Sequence, residues 1–297
     1  MRFELTTDQR DFAASLDALL SAADSVAVAR AWAAGDHAPG LALWERLAEQ
    51  GLTMLATEAT PVELCVAFEA LGRHAVPGPW VEAAAYLPLA LGAEVEGVAT
   101  VAMPYALDAD VADQVYAVAG GGLHTATAGA ALASVDRSRH LFEVSVGDAV
   151  DADGDLAAAY DLAVLATAAQ LLGAGERVLA DAVTYVKQRK QFGREIGSYQ
   201  AIKHKLADVR IALDFARPLV HGAALDPTPR AVSAAKVACA DAAYLASRTG
   251  LQVHGAIGYT QEFDLSVWIT KIRALVTAWG TPAEHRSRIL DSLVGSA

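Results

Sequence analysis

The stretch from Ala157 to Lys190 constrains this chain most. Leu162, Leu165, Ala169, Leu172, Leu179, Val183 and Val186 recur at the spacing of one helical face, with no proline to interrupt them. A helix this long needs helical neighbours along its apolar face, so the pattern predicts an antiparallel bundle. Composition points the same way: 54% of residues are hydrophobic but only 7% aromatic, and the apolar share is largely Ala and Leu, which favours helix over strand. The least polar run, Leu162 to Gly175, contains Thr167 and Gln170 and stops at Glu176. It reads as too short to span a bilayer, which takes about 20 apolar residues.

The rest of the chain divides around that helix. A second helix is expected from about Tyr199 to Arg217. A third opens with Thr228 as N-cap and Pro229 at the first helical position, and two more follow, at about Leu265 to Thr277 and Pro282 to Leu293. Together these make residues 155–297 a C-terminal helical bundle. Residues 1–96 read as an N-terminal helical domain. There Thr6 with Gln9 is a capping-box pair, Leu41 to Gln50 ends at Gly51, and Val62 to His74 stops before Pro77-Gly78-Pro79 and a further helix, Val81 to Leu91. Between them, Val98 to Met103, Gln114 to Val118, Leu123 to Ala126 and Leu141 to Val146 are strand-like, and 97–154 reads as a small antiparallel sheet, a reduced β-domain. The fold class is mainly α.

Charge excludes one class of partner. The net charge is −12, whereas nucleic-acid binding needs a basic footprint. Two cysteines, Cys65 and Cys239, make neither a disulfide framework nor a metal cluster. The acidic start, Phe3-Glu4-Leu5-Thr6-Thr7-Asp8, lacks a signal-peptide pattern, so a cytoplasmic location is expected. Against this background Tyr185 to Arg210 stands out. It holds Lys187, Arg189, Lys190, Arg194, Lys203, Lys205 and Arg210, seven of the 23 basic residues. Such a run is either a solvated helix end, with cations near a C-terminus, or an anion site in which an arginine clamps a phosphate through two parallel N–H bonds.

The residues themselves favour the second reading. Arg189-Lys-Gln-Phe-Gly193, Gly197-Ser-Tyr-Gln200 and Lys205-Leu-Ala-Asp208, followed by Gln252-Val-His-Gly-Ala-Ile-Gly258 and Glu262-Phe-Asp-Leu265, resemble the C-terminal bundle of the acyl-CoA dehydrogenase family. Phe3 to Gln9, Trp44 to Gly51 and Phe68 to Arg73 are similar to its opening domain, and Val135 to Arg139 weakly to its middle. The resemblance implies FAD as cofactor and α,β-dehydrogenation of an acyl-CoA thioester, with electrons leaving to a separate acceptor. It further implies that Arg189 meets the FAD pyrophosphate and Phe192 packs on the cofactor. Gln191, Gln200, Gln252, Gly255 and Ala256 would complete the ADP-binding surface, Gly255 allowing close backbone approach and Ala256 replacing a frequent second glycine.

Two expected features are missing. Dehydrogenation needs a base for the α-proton, which the family supplies as a glutamate at one of two places. The first corresponds to Ala278-Trp279-Gly280-Thr281, with Trp279 at the Glu position. The second corresponds to Ala163, beside Val164. Asp161 and Glu284 lie nearby in sequence, but each offset points to another helix face. The family's flavin cradle also has no counterpart between Gly97 and Gly154. Trp268-Ile269-Thr270 matches a flavin-contacting triplet in composition only, and Trp268 is expected in the core or an interface. The pattern resembles the short subunit of actinobacterial heteromeric (α2β2) acyl-CoA dehydrogenases, which pair with a full-length subunit and act on bulky, sterol-derived thioesters. Self-association with a relocated base, or a scaffold without enzymatic activity, are the alternatives.

Overall fold

The computed structural model describes residues 3–294. Six α-helices open the chain: α1 (Thr7–Ala22), α2 (Ser25–Ala33), α3 (Ala38–Glu49), α4 (Leu55–Glu58), α5 (Pro61–Arg73) and α6 (Leu87–Leu91). Thr6 and Gln9 form the reciprocal capping box, and Thr60 with Glu63 forms another under Pro61. The segment expected as one helix from Val81 begins instead with a π-helical turn, Glu82–Tyr86, before α6. Such turns widen the backbone ring and recur at functional sites.

Five strands follow: β1 (Ala99–Ala102), β2 (Ala106–Leu107), β3 (Gln114–Ala119), β4 (Gly122–Leu132) and β5 (Leu141–Ala149). Their order is β1-β3-β4-β5-β2. The sheet is not wholly antiparallel as expected, because β1 and β3 run parallel. The chain leaves β1 and pairs β2 with β5 at the opposite edge, then returns to lay β3 beside β1. Local alternation cannot encode that crossover.

The bundle is α7 (Leu156–Gln188), α8 (Gln200–Leu225), α9 (Pro229–His254), α10 (Leu265–Thr277) and α11 (Pro282–Val294). Helix α8 runs eight residues past its expected end, through Pro218. Helix α7 is the centre, packed on α5, α8, α9 and α10. It has more than one apolar face: every residue from Asp161 to Gly175 is buried. Its 33 residues are long and apolar enough to cross a membrane by length and composition, contrary to the expectation from the shorter apolar run, but 78% of its most apolar window is buried within the protein. Two glycines let α5 and α7 touch backbone to backbone: a Cβ on Gly72 would collide with the Gln170 carbonyl, and one on Gly173 with the Glu69 carbonyl. Trp268 is a core residue, its indole N–H donating to the Gly72 and Arg73 carbonyls at the end of α5.

Candidate functional site

Three helix ends meet at one pole of the bundle: the C-terminus of α7, the N-terminus of α8 and the C-terminus of α9. Tyr185 stacks on His254 at 4.1 Å, and Lys205 donates to Gln252 Oε1 at 2.9 Å. These contacts bring together the two motif segments that lie some sixty residues apart in sequence. A lysine can only donate, so the Gln252 amide oxygen faces Lys205 and its NH2 group remains available as a donor.

A two-residue hairpin projects from this pole. Strands β6 (Lys190–Gln191) and β7 (Arg194–Glu195) pair antiparallel, and the Ile196 N–H donates to the Arg189 carbonyl at 2.9 Å. Both turn residues are left-handed, Phe192 at φ 52° and Gly193 at φ 79°. Such turns prefer Asn-Gly, and a bulky residue at positive φ is strained. Phe192 is nonetheless 91% exposed, so nothing among the described residues rewards its aromatic ring. Arg189, Gln191, Gln200, Gln252, Gly255 and Ala256 are exposed as well. Gly255 caps α9 at φ 65°, ψ −140°, and a Cβ there would meet nothing within 4 Å. Its glycine is therefore required by backbone conformation; among the described residues no neighbour crowds it.

The cations of this pole are unevenly committed. Arg210 belongs to an internal network, clamping Glu176 through two bonds of 2.7 and 2.6 Å, with Arg217 bridging Glu176 to Glu69. The Arg194 guanidinium lies 3.9 Å over the Tyr199 ring. Among the described residues, no carboxylate lies within ion-pair distance of Lys187, Arg189, Lys190, Arg194, Lys203 or Lys205. Charged, unpaired donors beside an exposed aromatic ring form a donor set suited to a diphosphate carrying ring systems.

The two family base positions look quite different. Ala163 is fully buried in α7. Trp279 is buried at φ 55°, and its carbonyl accepts from Tyr160 Oη at 3.2 Å and His285 Nε2 at 2.9 Å. Burial lowers the His285 pKa, and the neutral ring donates from Nε2 while Nδ1 faces Ser233. Both nearby acids are already engaged. Asp161 is buried in an ion pair with Arg288, and Glu284 closes the α11 capping box with Thr281, whose backbone N–H holds the Glu284 pKa down. The family-like Asp136 pairs with buried Lys271 at 3.2 Å and orders its own loop through Ser138.

Sequence reading missed Glu82. Trp279 and Glu82 line one cleft of about 430 Å³ between the sheet and the end of α10, together with Tyr105, Arg139 and Arg273. Glu82 is 5% exposed and one carboxylate oxygen has no hydrogen-bond partner. Burial raises its pKa, against the lowering effects of Arg139 and of the hydrogen bond with Trp279. A buried carboxyl aimed into a cleft is a candidate acid or base. The sequence places it in an apolar helix, and only the π-helical turn gives it this setting.

A fold of helices, small sheet and bundle is that of the acyl-CoA dehydrogenases, and the chain belongs to this family of oxidoreductases acting on acyl-CoA. Residues 159–294 match the family "Acyl-CoA dehydrogenase, C-terminal domain". The chain is 31% identical over 290 residues to "Acyl-CoA dehydrogenase IpdE2" of Mycobacterium tuberculosis, covering 89% of this chain and 90% of that one. Among solved structures it superposes on a chain of the ChsE4-ChsE5 complex from Mycobacterium tuberculosis with TM-score 0.82 and 21% identity, covering 99% of both. It superposes equally on butyryl-CoA dehydrogenase from Megasphaera elsdenii, with TM-score 0.82, 19% identity and coverage of 99% and 100%. These two likenesses are of fold.

Proposed function

We propose that this chain is the non-catalytic half of a heteromeric, FAD-dependent acyl-CoA dehydrogenase, pairing with a full-length subunit that carries the base and the flavin cradle. One contrast carries the reading. The pole that would receive the ADP half of FAD keeps unpaired cations and a strained, exposed aromatic, while the base position is filled by Trp279. Bound FAD supplies the acceptor for the hydride leaving the acyl β-carbon. The chain's own residues bind and orient: Arg189 grips the pyrophosphate, Gln191, Gln200 and Gln252 offer amide donors, Phe192 packs on the cofactor, and Gly255 and Ala256 leave the backbone open to approach. The electrons pass on to a separate acceptor. An exposed apolar stripe on α8, formed by Ile211, Phe215 and Leu219, supports a subunit contact. The ChsE4-ChsE5 complex is an instance of this fold in an assembly of two different chains, and the bulky, sterol-derived thioester rests on the sequence resemblance.

Expressed alone, the chain should be colourless, and co-expressed with its partner it should give a yellow complex. Arg189→Lys in that complex keeps the charge but loses the planar fork. Removing a charge-assisted bond worth about 1.5–3 kcal/mol should weaken FAD binding about tenfold or more. Titrating FAD while following melting temperature measures this. Stoichiometric FAD on the lone chain together with turnover would overturn the reading.

Glu82 favours a second reading, in which the chain is itself catalytic with a relocated base. Glu82→Gln separates the two. With the base in the partner, turnover of the complex stays within a few-fold of wild type. A fall by a factor of about 10²–10⁴, with folding intact, would move the base to this chain.

A further inference from the structure

At the junction of the N-terminal helices with the sheet, three side chains point their donor atoms at one another. His37 sits at the N-terminus of α3, Asp110 in the loop between β2 and β3, and His140 immediately before β5. His37 Nε2 lies 3.3 Å from His140 Nδ1, and Asp110 Oδ2 lies 3.8 Å from the first and 3.4 Å from the second. The carboxylate is therefore too far from either ring for a good hydrogen bond. Yet all three atoms lie within 4.8 Å of one another. Ligands bound at about 2.0–2.2 Å around a tetrahedral zinc stand roughly 3.2–3.6 Å apart, and the His–His and His–Asp separations of 3.3 and 3.4 Å match that spacing, with 3.8 Å slightly open.

The cluster is also built. Asp108 is fully buried, and its Oδ1 accepts from the His140 backbone N–H at 3.0 Å and from the Trp32 indole at 3.1 Å. The Asp108 N–H in turn donates to the His140 carbonyl at 2.6 Å. Trp32 is buried and meets the His37 ring edge-on at 4.7 Å. One buried carboxylate thus fixes the backbone of one donor residue and the indole that backs the other. The three donor side chains are 17, 32 and 23% exposed, which leaves a solvent-facing side for a fourth ligand.

We infer that His37, Asp110 and His140 form a divalent transition-metal site of zinc type, with water at the fourth position, that clasps the α2–α3 connection to the sheet. Two imidazoles and one carboxylate suit a borderline ion such as Zn²⁺, whereas Mg²⁺ and Ca²⁺ take oxygen ligands. The inference is independent of the FAD-binding reading. Its test uses the untagged full-length chain, stripped with a chelator and titrated with ZnCl2 in a calorimeter, with thermal melts in parallel. One equivalent should bind per chain and raise the melting temperature, and CoCl2 should give the visible bands of tetrahedral Co²⁺. Asp110→Asn and His140→Gln nearly preserve side-chain volume and should melt like wild type without metal. Each should weaken Zn²⁺ binding about tenfold or more, as even losses around a metal's ligands do, and remove the metal-dependent shift. Absence of binding, or binding of equal strength in both variants, would overturn the site.

Discussion

At the scale of single residues the clearest signal is a conflict between backbone and side chain. Phe192 occupies a left-handed turn position that Asn or Gly would hold with less strain, and its ring is exposed to solvent. Strain of this kind, about 1–3 kcal/mol per residue, persists where something outside the local fold requires it. We expect Phe192→Asn to leave the lone chain as stable as wild type or up to about 1 kcal/mol more stable. In the assembled complex the same change should weaken FAD binding about 3- to 10-fold through loss of an aromatic contact. Denaturant melts of the lone chain and FAD titration of the complex measure the two effects. A loss of stability in the lone chain would show that the ring serves the fold. Other residues divide by how local their setting is. Trp279 at a base position was legible because the surrounding turn is contiguous in sequence. Glu82 was not, since its setting depends on a π-helical turn meeting Trp279, just past α10 and nearly 200 residues away. His37, Asp110 and His140 carry no spacing signature at all, because three loops deliver them.

At the scale of elements, capping and periodicity predicted the helices well, and the errors have physical causes. Thr6 and Thr228 each cap the helix that their side chains announce. Helix α8 outran its expected end because Pro218 is held within a continuous helix packed on α7 and α9. The basic run counts Arg210 among its seven cations, yet Arg210 is committed to Glu176, 34 residues away on α7. Charge in a sequence does not reveal which cations tertiary packing neutralises. That network joins α5, α7 and α8, and it should make the bundle acid-sensitive. Burial would raise the Glu176 pKa, but Arg210 and Arg217 hold it below its ordinary value of 4.5. A carboxyl with a depressed folded pKa contributes its stability above the unfolded value and loses it as pH falls through the folded one. Glu176→Gln should therefore destabilise the chain near neutrality by about 1–3 kcal/mol. That is below the 3–5 kcal/mol of a fully buried pair, since the arginine side chains are 39 and 33% exposed. The gap between variant and wild type should close as pH drops well below the ordinary carboxylate value of 4.5. Urea melts across that range measure it, and a pH-independent gap would assign the effect to packing.

At the scale of the whole molecule, the chain presents a basic pole and an apolar stripe to the outside while its own cleft holds a tryptophan where a base is expected. Ile211, Phe215 and Leu219 recur every four residues, so they form one face of α8, with exposures of 51, 72 and 43%. The basic pole begins at the N-terminus of the same helix, so one docking partner lying along α8 could cover both features and bridge the cofactor between subunits. Phe215 is the most exposed residue of that stripe, and surface changes of this kind usually alter stability by less than about 0.5 kcal/mol. A central aromatic anchor in an interface, by contrast, contributes about 2 kcal/mol or more. We therefore expect Phe215→Glu to fold and melt like wild type, to fail to co-purify with the full-length partner in size-exclusion chromatography with light scattering, and to leave the partner depleted of FAD. On the proposed function, mass action should partly rescue the complex at high concentrations of both chains and of FAD, because FAD bound across the interface would stabilise only the assembled state. Co-purification at wild-type yield with full FAD would remove the α8 stripe from the interface and leave the basic pole to act alone.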